Sequence, residues 1–136
     1  AEFEKAIEIN PKNEKAYFSI GTLEMEQGNL TAAIEAFQRA KAVNPADANT
    51  AYNLGLAYLQ TGKTEKAQDE WEYVLTINAG YPRALYNLAL LAAKQGKVQE
   101  AGRRYCQFLN APEGEFPSER ALAQKFIEQN HIGCQN

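Results

Sequence analysis

The residues best able to do chemistry in this chain are few. His131 is the only histidine, and Cys106 and Cys134 are the only cysteines. A histidine can serve as general acid or base near neutral pH. A cysteine can serve as nucleophile, metal ligand or disulfide partner. Cys106 has no cysteine or histidine near it in sequence, and Cys134 has only His131, too few for a metal-ligand set. A zinc site or disulfide framework is therefore not expected, and two ordinary thiols is the reading. Cys106 follows Tyr105 directly and should point off the core side as a surface or half-buried thiol. Arg103 and Arg104 are near it in sequence, but no adjacent histidine explains activation. His131 stands in the tail, where exposure is the expectation. No nucleophile has a base at helical spacing, and there is no phosphate loop and no His/Asp/Glu cluster. The expectation is a non-enzyme with no catalytic residue, no cofactor and no metal.

Composition narrows the classes further. The chain has 136 residues, 45% hydrophobic and 23% charged, with a formal net charge of -3. That length suits one domain with a continuous core. No apolar run approaches the roughly 18 residues of a membrane span, so direct membrane insertion is not expected. The acidic balance argues against nucleic acid, which needs a basic stripe to meet phosphates. No signal peptide is visible. The chain opens mid-helix with AEFEKAIEINP, so a piece of a longer protein, with upstream repeats and any targeting segment outside it, is expected. The cytoplasm is the working expectation for its compartment.

The elements that position these residues come from a repeat. At an offset of about 34 residues the sequence superimposes on itself. Gly28, Gly62 and Gly96 align, as do Ala33, Ala67 and Ala101. Phe3, Phe37, Trp71 and Tyr105 form an aromatic column; Ile20, Leu54, Leu88 and Leu122 form an aliphatic one. Gly21, Gly55, Ala89 and Ala123 are all small. Each period reads as two helices. The spacing predicts a first helix over 15–27, with Ala16, Tyr17, Ile20 and Leu23 at helical intervals, broken by Gly28-Asn29. Glycine there can adopt the left-handed cap conformation. A second helix follows from Leu30, with Ala33, Ile34, Phe37 and Ala40 on one face, and Asn44-Pro45 ends it. The same script repeats over 48–61 and 64–77, then over 82–95 and 98–110. The small residues of the first helix are expected to face Ala33, Ala67 and Ala101 of the second, with the aromatics wedged between successive hairpins. No hairpin buries its apolar face alone, so stability is a nearest-neighbour sum.

These columns resemble the tetratricopeptide repeat family. The second unit shows Tyr17, Ile20-Gly21, Ala33, Phe37, Ala40 and Pro45; the third Leu54-Gly55, Tyr58, Ala67, Trp71 and Val74; the fourth Leu88-Ala89, Ala101, Tyr105 and Phe108. Ala51 stands where a large residue is usual, with Tyr52 beside it as compensation, and Glu24 and Ala92 replace the tyrosine. The resemblance implies an all-α fold, a right-handed superhelical solenoid of antiparallel helix hairpins. It divides the chain into a half repeat at 1–13, full repeats at 14–47, 48–81 and 82–115, a capping helix at 116–130 and a flexible tail at 131–136. Phe3, Ala6 and Ile7 of the half repeat should pack on the next hairpin. The capping helix is expected to take Ser118 as its N-cap after Pro117, with Leu122, Ala123 and Phe126 on the register of a fifth unit's first helix.

In this family the first helices line a concave groove that receives a peptide or helix. Carried over by register, the groove positions are Lys15, Phe18, Ser19, Thr22, Met25 and Glu26; then Asn49, Tyr52, Asn53, Leu56, Leu59 and Gln60; then Arg83, Tyr86, Asn87, Leu90 and Lys94. The candidate partner-binding residues among them are Phe18, Thr22, Asn49, Tyr52, Asn53, Leu56, Arg83, Tyr86, Asn87 and Leu90. An asparagine amide both donates to and accepts from a ligand backbone, and aromatics give contact area at low entropic cost. The same asparagine and tyrosine also occur in the repeat whatever it binds. Some members clamp the acidic tails of heat-shock chaperones with lysines, arginine and asparagines. Asn53 and Arg83 match two clamp positions, but Phe18, Thr22 and Asn87 do not, so that ligand is not expected. Trp71 reads as core, and Glu70/Glu72 and Arg103/Arg104 as solvated convex faces.

The resulting expectation is a non-catalytic protein-interaction scaffold that binds a peptide or helix of a partner in the groove. Two alternatives stand beside it. One is homo-oligomerisation through the flank around Phe3 and Ile7. The other is a non-catalytic module of a larger enzyme or secretion or assembly machine.

Overall fold

The structure is a computed structural model, and it describes residues 13–111 and 115–134. Among these residues there are seven helices and no strand: α1 (Glu14–Glu26), α2 (Leu30–Val43), α3 (Ala48–Gln60), α4 (Thr64–Ile77), α5 (Pro82–Lys94), α6 (Val98–Leu109) and α7 (Pro117–Gln129). The helix bounds agree with the repeat-derived ones to within a residue. The half repeat at 1–13 lies outside the described residues, Asn13 excepted. The chain divides into two compact units, Ala1–Ile77 and Asn78–Asn136.

In the first unit α1 pairs with α2 and α3 with α4, while α2 packs on α3. The caps follow from local chemistry. The Asn13 side chain accepts from the Ala16 amide at 3.1 Å. Asp47 does the same job for α3, accepting from the Asn49 amide at 3.0 Å and from the Thr50 hydroxyl at 3.1 Å. Thr50 is fully buried, so its hydroxyl needs that partner. The turns between paired helices share one device. Gly28, Gly62 and Gly96 all have φ near +80°, where only glycine is unstrained. In the first turn the Gly28 amide reaches the Met25 carbonyl at 3.1 Å and the Asn29 amide reaches Glu24 at 2.8 Å. This is a Schellman closure of the last helical carbonyls.

The hairpin interiors correct one expectation. Gly21 and Gly55 do not chiefly face the alanines of the second helix; they face its aromatic ring. A Cβ on Gly21 would lie 2.6 Å from Phe37 Cε1, and one on Gly55 would run into the Trp71 indole. Each aromatic therefore lies across its own hairpin in the hollow the glycine leaves. Phe37 and Trp71 are completely buried, as are Ala33 and Ala67. A polar seam also joins the two hairpins of this unit. Lys41 Nζ lies 2.9 Å from Glu70 and 4.2 Å from the centre of the Tyr73 ring. The Tyr73 hydroxyl donates to the Pro45 carbonyl at 2.7 Å, and Gln38 Nε2 donates to the Tyr58 hydroxyl at 2.9 Å.

In the second unit α5 pairs with α6, and α7 packs on α6. Tyr105 is buried between Tyr86, 5.9 Å away centre to centre, and Phe126, 5.0 Å away. The N-cap of α7 is Phe116, not Ser118: Pro117 already lies in the helix, and Phe116 takes φ +56°. Proline at the first helical position supplies a pre-set φ and lacks only an amide that would have gone unpaired. The Phe116 ring lies 6.0 Å from that of Phe108. Arg120 donates to the Leu109 and Ala111 carbonyls at 3.2 and 3.1 Å, closing the end of α6. Leu122 departs from its column. Leu54 and Leu88 are buried under the second helices of their hairpins, whereas Leu122 is 55% exposed; among the described residues α7 has no such second helix.

The tail also departs from expectation. Cys106 and Cys134 are not free thiols but a disulfide, with Cα atoms 5.3 Å apart. The Ile132 amide bonds the Ile127 carbonyl at 3.0 Å, so the chain turns back after α7. The Ile132 side chain then fills the space a Cβ on Gly102 would need.

Candidate partner-binding surface

In the first unit the candidate residues come from α1 and α3. Phe18 is half-buried, its ring edge-on to Phe37 with centres 5.8 Å apart. The Thr22 hydroxyl donates to the Phe18 carbonyl at 3.0 Å, which occupies its proton and leaves its lone pairs. Asn53 Nδ2 donates to the Asn49 carbonyl at 3.0 Å. That bond fixes the amide along α3. Asn49 itself is exposed and Leu56 half-buried. Tyr52 is different: only 8% of its surface is exposed, and its carbonyl accepts the Trp71 indole N–H at 3.2 Å. The ring packs on Trp71 and offers little face outward.

Two of these residues converge on one feature. A cavity of about 340 Å³ is lined by Thr22, Met25 and Glu26 of α1, Asn53 and Gln60 of α3, and the Phe37 ring of α2. Its floor is apolar: Met25, with the completely buried Phe37 ring behind it. Its rim carries a hydroxyl, two amides and one carboxylate. Phe18, Asn49, Tyr52 and Leu56 are not part of its lining. Phe37 is the lining residue that register alone assigns only to the core, and the gap at Gly21 is what brings its ring there.

The mouth of this unit holds a carboxyl pair. Glu14, at the start of α1, bonds the Asp47 side chain. That bond, with burial and the Asp47 charge, pushes the Glu14 carboxyl above its usual range. Burial would raise Asp47, but the bonds from Glu14, from the Thr50 hydroxyl and from the Asn49 and Thr50 amides outweigh it and hold Asp47 low. A carboxyl beside a second carboxyl resists ionisation, and here the one that resists is Glu14.

In the second unit the candidates lie on α5. Tyr86 and Asn87 are half-buried, as is Leu90, and Arg83 is exposed. The Arg83 guanidinium stands 5.6 Å over the Phe116 ring, which fixes its direction. Tyr86 packs on Phe108 at 5.1 Å, and burial with the nearby Glu119 charge raises its phenol above the ordinary value. Burial, then Tyr86, pushes Tyr105 up to about 12. Neither phenol ionises near neutral pH, so both serve as packing and hydrogen-bonding groups. The alternative self-assembly surface at Phe3 and Ile7 lies outside the described residues.

His131 is exposed, with φ +53°. Among the described residues no three His, Cys, Asp or Glu side chains come together to hold a metal ion. Among the same residues no helix is long and apolar enough to cross a membrane.

Comparison with known proteins agrees with this construction. Three family models match: TPR repeat over residues 21–62, and Tetratricopeptide repeat over residues 52–108 and again over 2–35. No curated protein sequence matches. Among solved structures, pilF of Pseudomonas aeruginosa superimposes with TM-score 0.83 at 23% identity, over 96% of this chain and 59% of that one. MamA superimposes with TM-score 0.80 at 21% identity, over 96% and 75%. The Yersinia enterocolitica type III secretion chaperone SycD, solved with a peptide of the translocator YopD, gives TM-score 0.77 at 18% identity, over 85% and 89%. At these identities the likeness speaks for the fold, which is all-α and of the tetratricopeptide kind. Tiled from residue 2 to residue 108 by overlapping repeat models, and built of hairpins with a shared glycine closure, the chain belongs to the tetratricopeptide repeat family.

Proposed function

We propose that this protein is a non-catalytic interaction scaffold that takes an extended peptide or a helix of a partner protein on the outward sides of its first helices. The observation that carries the reading is the cavity of about 340 Å³ between α1 and α3. It joins an apolar floor to amide and hydroxyl groups, the combination that fixes a side chain and a peptide backbone together. Asn53, Gln60 and Thr22 set the orientation of the bound segment, and Met25, backed by the buried Phe37 ring, receives an apolar side chain from it. Met25 is adaptable in shape, which suits a surface that accepts related sequences. In the second unit Arg83, Tyr86, Asn87 and Leu90 offer a further, separate set of contacts on α5. SycD, a structural neighbour, was solved holding a peptide of its translocator, which is in keeping with this use of the fold.

The experiment is selection of peptides from a displayed random library on the immobilised protein. Selected peptides are expected to share an apolar anchor and to lose at least about tenfold in affinity on the double substitution Asn53→Ala, Gln60→Ala, equivalent to about 1.4 kcal/mol. Failure to select any binder, or affinity indifferent to the substitutions, would count against the reading.

A further inference from the structure

The disulfide joins two elements that the repeat does not otherwise bring together. Cys106 lies on α6, and Cys134 lies beyond the end of α7. Between them the tail lies against α6, with Ile132 in the hollow left by Gly102. The register makes that glycine informative. The matching positions are Ile34, which is buried in α2, and Gln68, which is half-buried in α4. Only in this hairpin is the site emptied of a side chain, and the tail's isoleucine occupies it.

The surroundings of the two sulfurs differ. Cys134 is exposed and Cys106 half-buried. A cavity of about 300 Å³, whose lining includes Arg103, Gln107, Asn110, Ile132 and Gly133, opens beside Cys106. Arg103 stands one helical turn before Cys106 and lines the same cavity. A thiolate formed at Cys106 would face that positive charge, and a cation lowers the pKa of a neighbouring thiol. Thiol–disulfide exchange favours attack at the more accessible sulfur and departure of the better-stabilised thiolate.

We infer that the Cys106–Cys134 disulfide is a thiol-exchange site, at which a low-molecular-weight thiol opens a strap that otherwise holds the tail on α6. The attacking thiolate bonds to Cys134 Sγ, the Cys106–Cys134 bond breaks, and the electron pair leaves on Cys106 Sγ. The product is a mixed disulfide on Cys134 and a Cys106 thiolate beside Arg103. A second thiolate attacks the sulfur of the added thiol or Cys134 Sγ; attack on the former releases the small disulfide and a Cys134 thiolate, and both chain sulfurs end reduced. Opening withdraws Ile132 from Gly102 and uncovers that face of α6. The helix α7 stays docked, because Phe126 on Tyr105 and Arg120 on the α6 carbonyls do not depend on the strap. The strap is closed in an oxidising compartment and opens where thiols are abundant.

The test uses the whole chain purified without reductant. Reduced glutathione is added for short times, the reaction is quenched in acid, and the sulfurs are located by peptide mass spectrometry. Hydrogen exchange is measured in parallel. The oxidised chain is expected to hold no free thiol, and the first adduct is expected on Cys134. On full reduction, protection should fall at least about tenfold at residues 128–134 and around Gly102, and stay unchanged in α1–α4. The variant Cys134→Ser should show the reduced pattern without any reductant. Free thiols in the air-oxidised chain, a first adduct on Cys106, or unchanged protection on reduction would each overturn the inference.

Discussion

The indole N–H of Trp71 donates to the carbonyl of Tyr52 across 3.2 Å in the buried interior of the second hairpin. It is the hydrogen bond that fixes the ring over Gly55. Replacing Trp71 with Phe removes the donor and leaves a void beside that carbonyl. The expected cost is about 2–4 kcal/mol, the sum of a lost buried hydrogen bond and a partial cavity. Urea unfolding followed by circular dichroism measures it; a change under about 0.5 kcal/mol would show the bond to be inconsequential.

Gly55→Ala is expected to destabilise the fold although alanine is the better helix former. The helix gains about 1 kcal/mol from alanine, but the new methyl meets the Trp71 ring. Overpacking of that kind costs about 1–3 kcal/mol. The double variant Gly55→Ala, Trp71→Leu should recover part of the loss, because the smaller side chain vacates the space. Thermal unfolding of the four-member cycle gives the coupling, and strict additivity would contradict the contact.

The carboxyl pair gives a pH dependence with a definite direction. Glu14 is raised in the folded chain, so its contribution is complete below its unfolded value of 4.5 and fades as pH rises through the folded one. Asp47 is lowered, so its contribution is present above 3.8 and is lost as pH falls through its folded value. Local stability should therefore peak in mildly acidic solution and decline toward neutrality. Glu14→Gln keeps a donor to Asp47 without the charge. Its melting temperature should exceed that of the parent chain at neutral pH and no longer fall as pH rises above 4.5. A parent chain whose melting temperature does not fall as pH rises from 4.5 to neutrality would contradict the raised Glu14 carboxyl.

Lys41 and Glu70 make a close ion pair, but both side chains keep some contact with water, 27% and 15% exposed. Glu70→Gln should cost only about 0.5–1 kcal/mol, and less in 1 M salt, as partly solvated pairs do. Tyr73→Phe, which removes the hydroxyl bond to Pro45, should cost a similar amount independent of salt. Matched melts at two ionic strengths separate the two effects.

The hairpins were legible in the sequence because each is fixed by short-range rules: glycine at a left-handed cap and apolar residues at helical spacing, with Pro45 after the second helix of the first hairpin. Tyr52 packs on Trp71 as Phe18 packs on Phe37 and Tyr86 on Tyr105, while Asn53 beside it reaches the cavity. The disulfide was not legible, because it depends on the tail reversing after α7, and no local pattern encodes that reversal. The signal was Gly102, a vacancy where Ile34 and Gln68 carry side chains. Residue type alone favours Ser118 as the cap; Phe116 takes the place because Pro117 can begin the helix and the ring packs on Phe108.

The candidate surface divides in the same way. Register placed Thr22, Met25, Glu26, Asn53 and Gln60 on the outward side of the first helices, and these line the cavity together with Phe37. Register could not say which groove positions are pinned by their own helix. The Thr22 hydroxyl proton and one N–H of the Asn53 amide are tied to backbone carbonyls, so under the proposed reading their oxygens and the second Asn53 N–H would meet a partner.

The most direct test of the scaffold reading is a backbone amide NMR titration of the isotope-labelled chain with a peptide selected on it. The largest shift changes are expected at Thr22, Met25, Glu26, Asn53 and Gln60, with the seam of Lys41, Glu70 and Tyr73 unmoved. Changes centred on that seam, with the cavity residues unmoved, would contradict it.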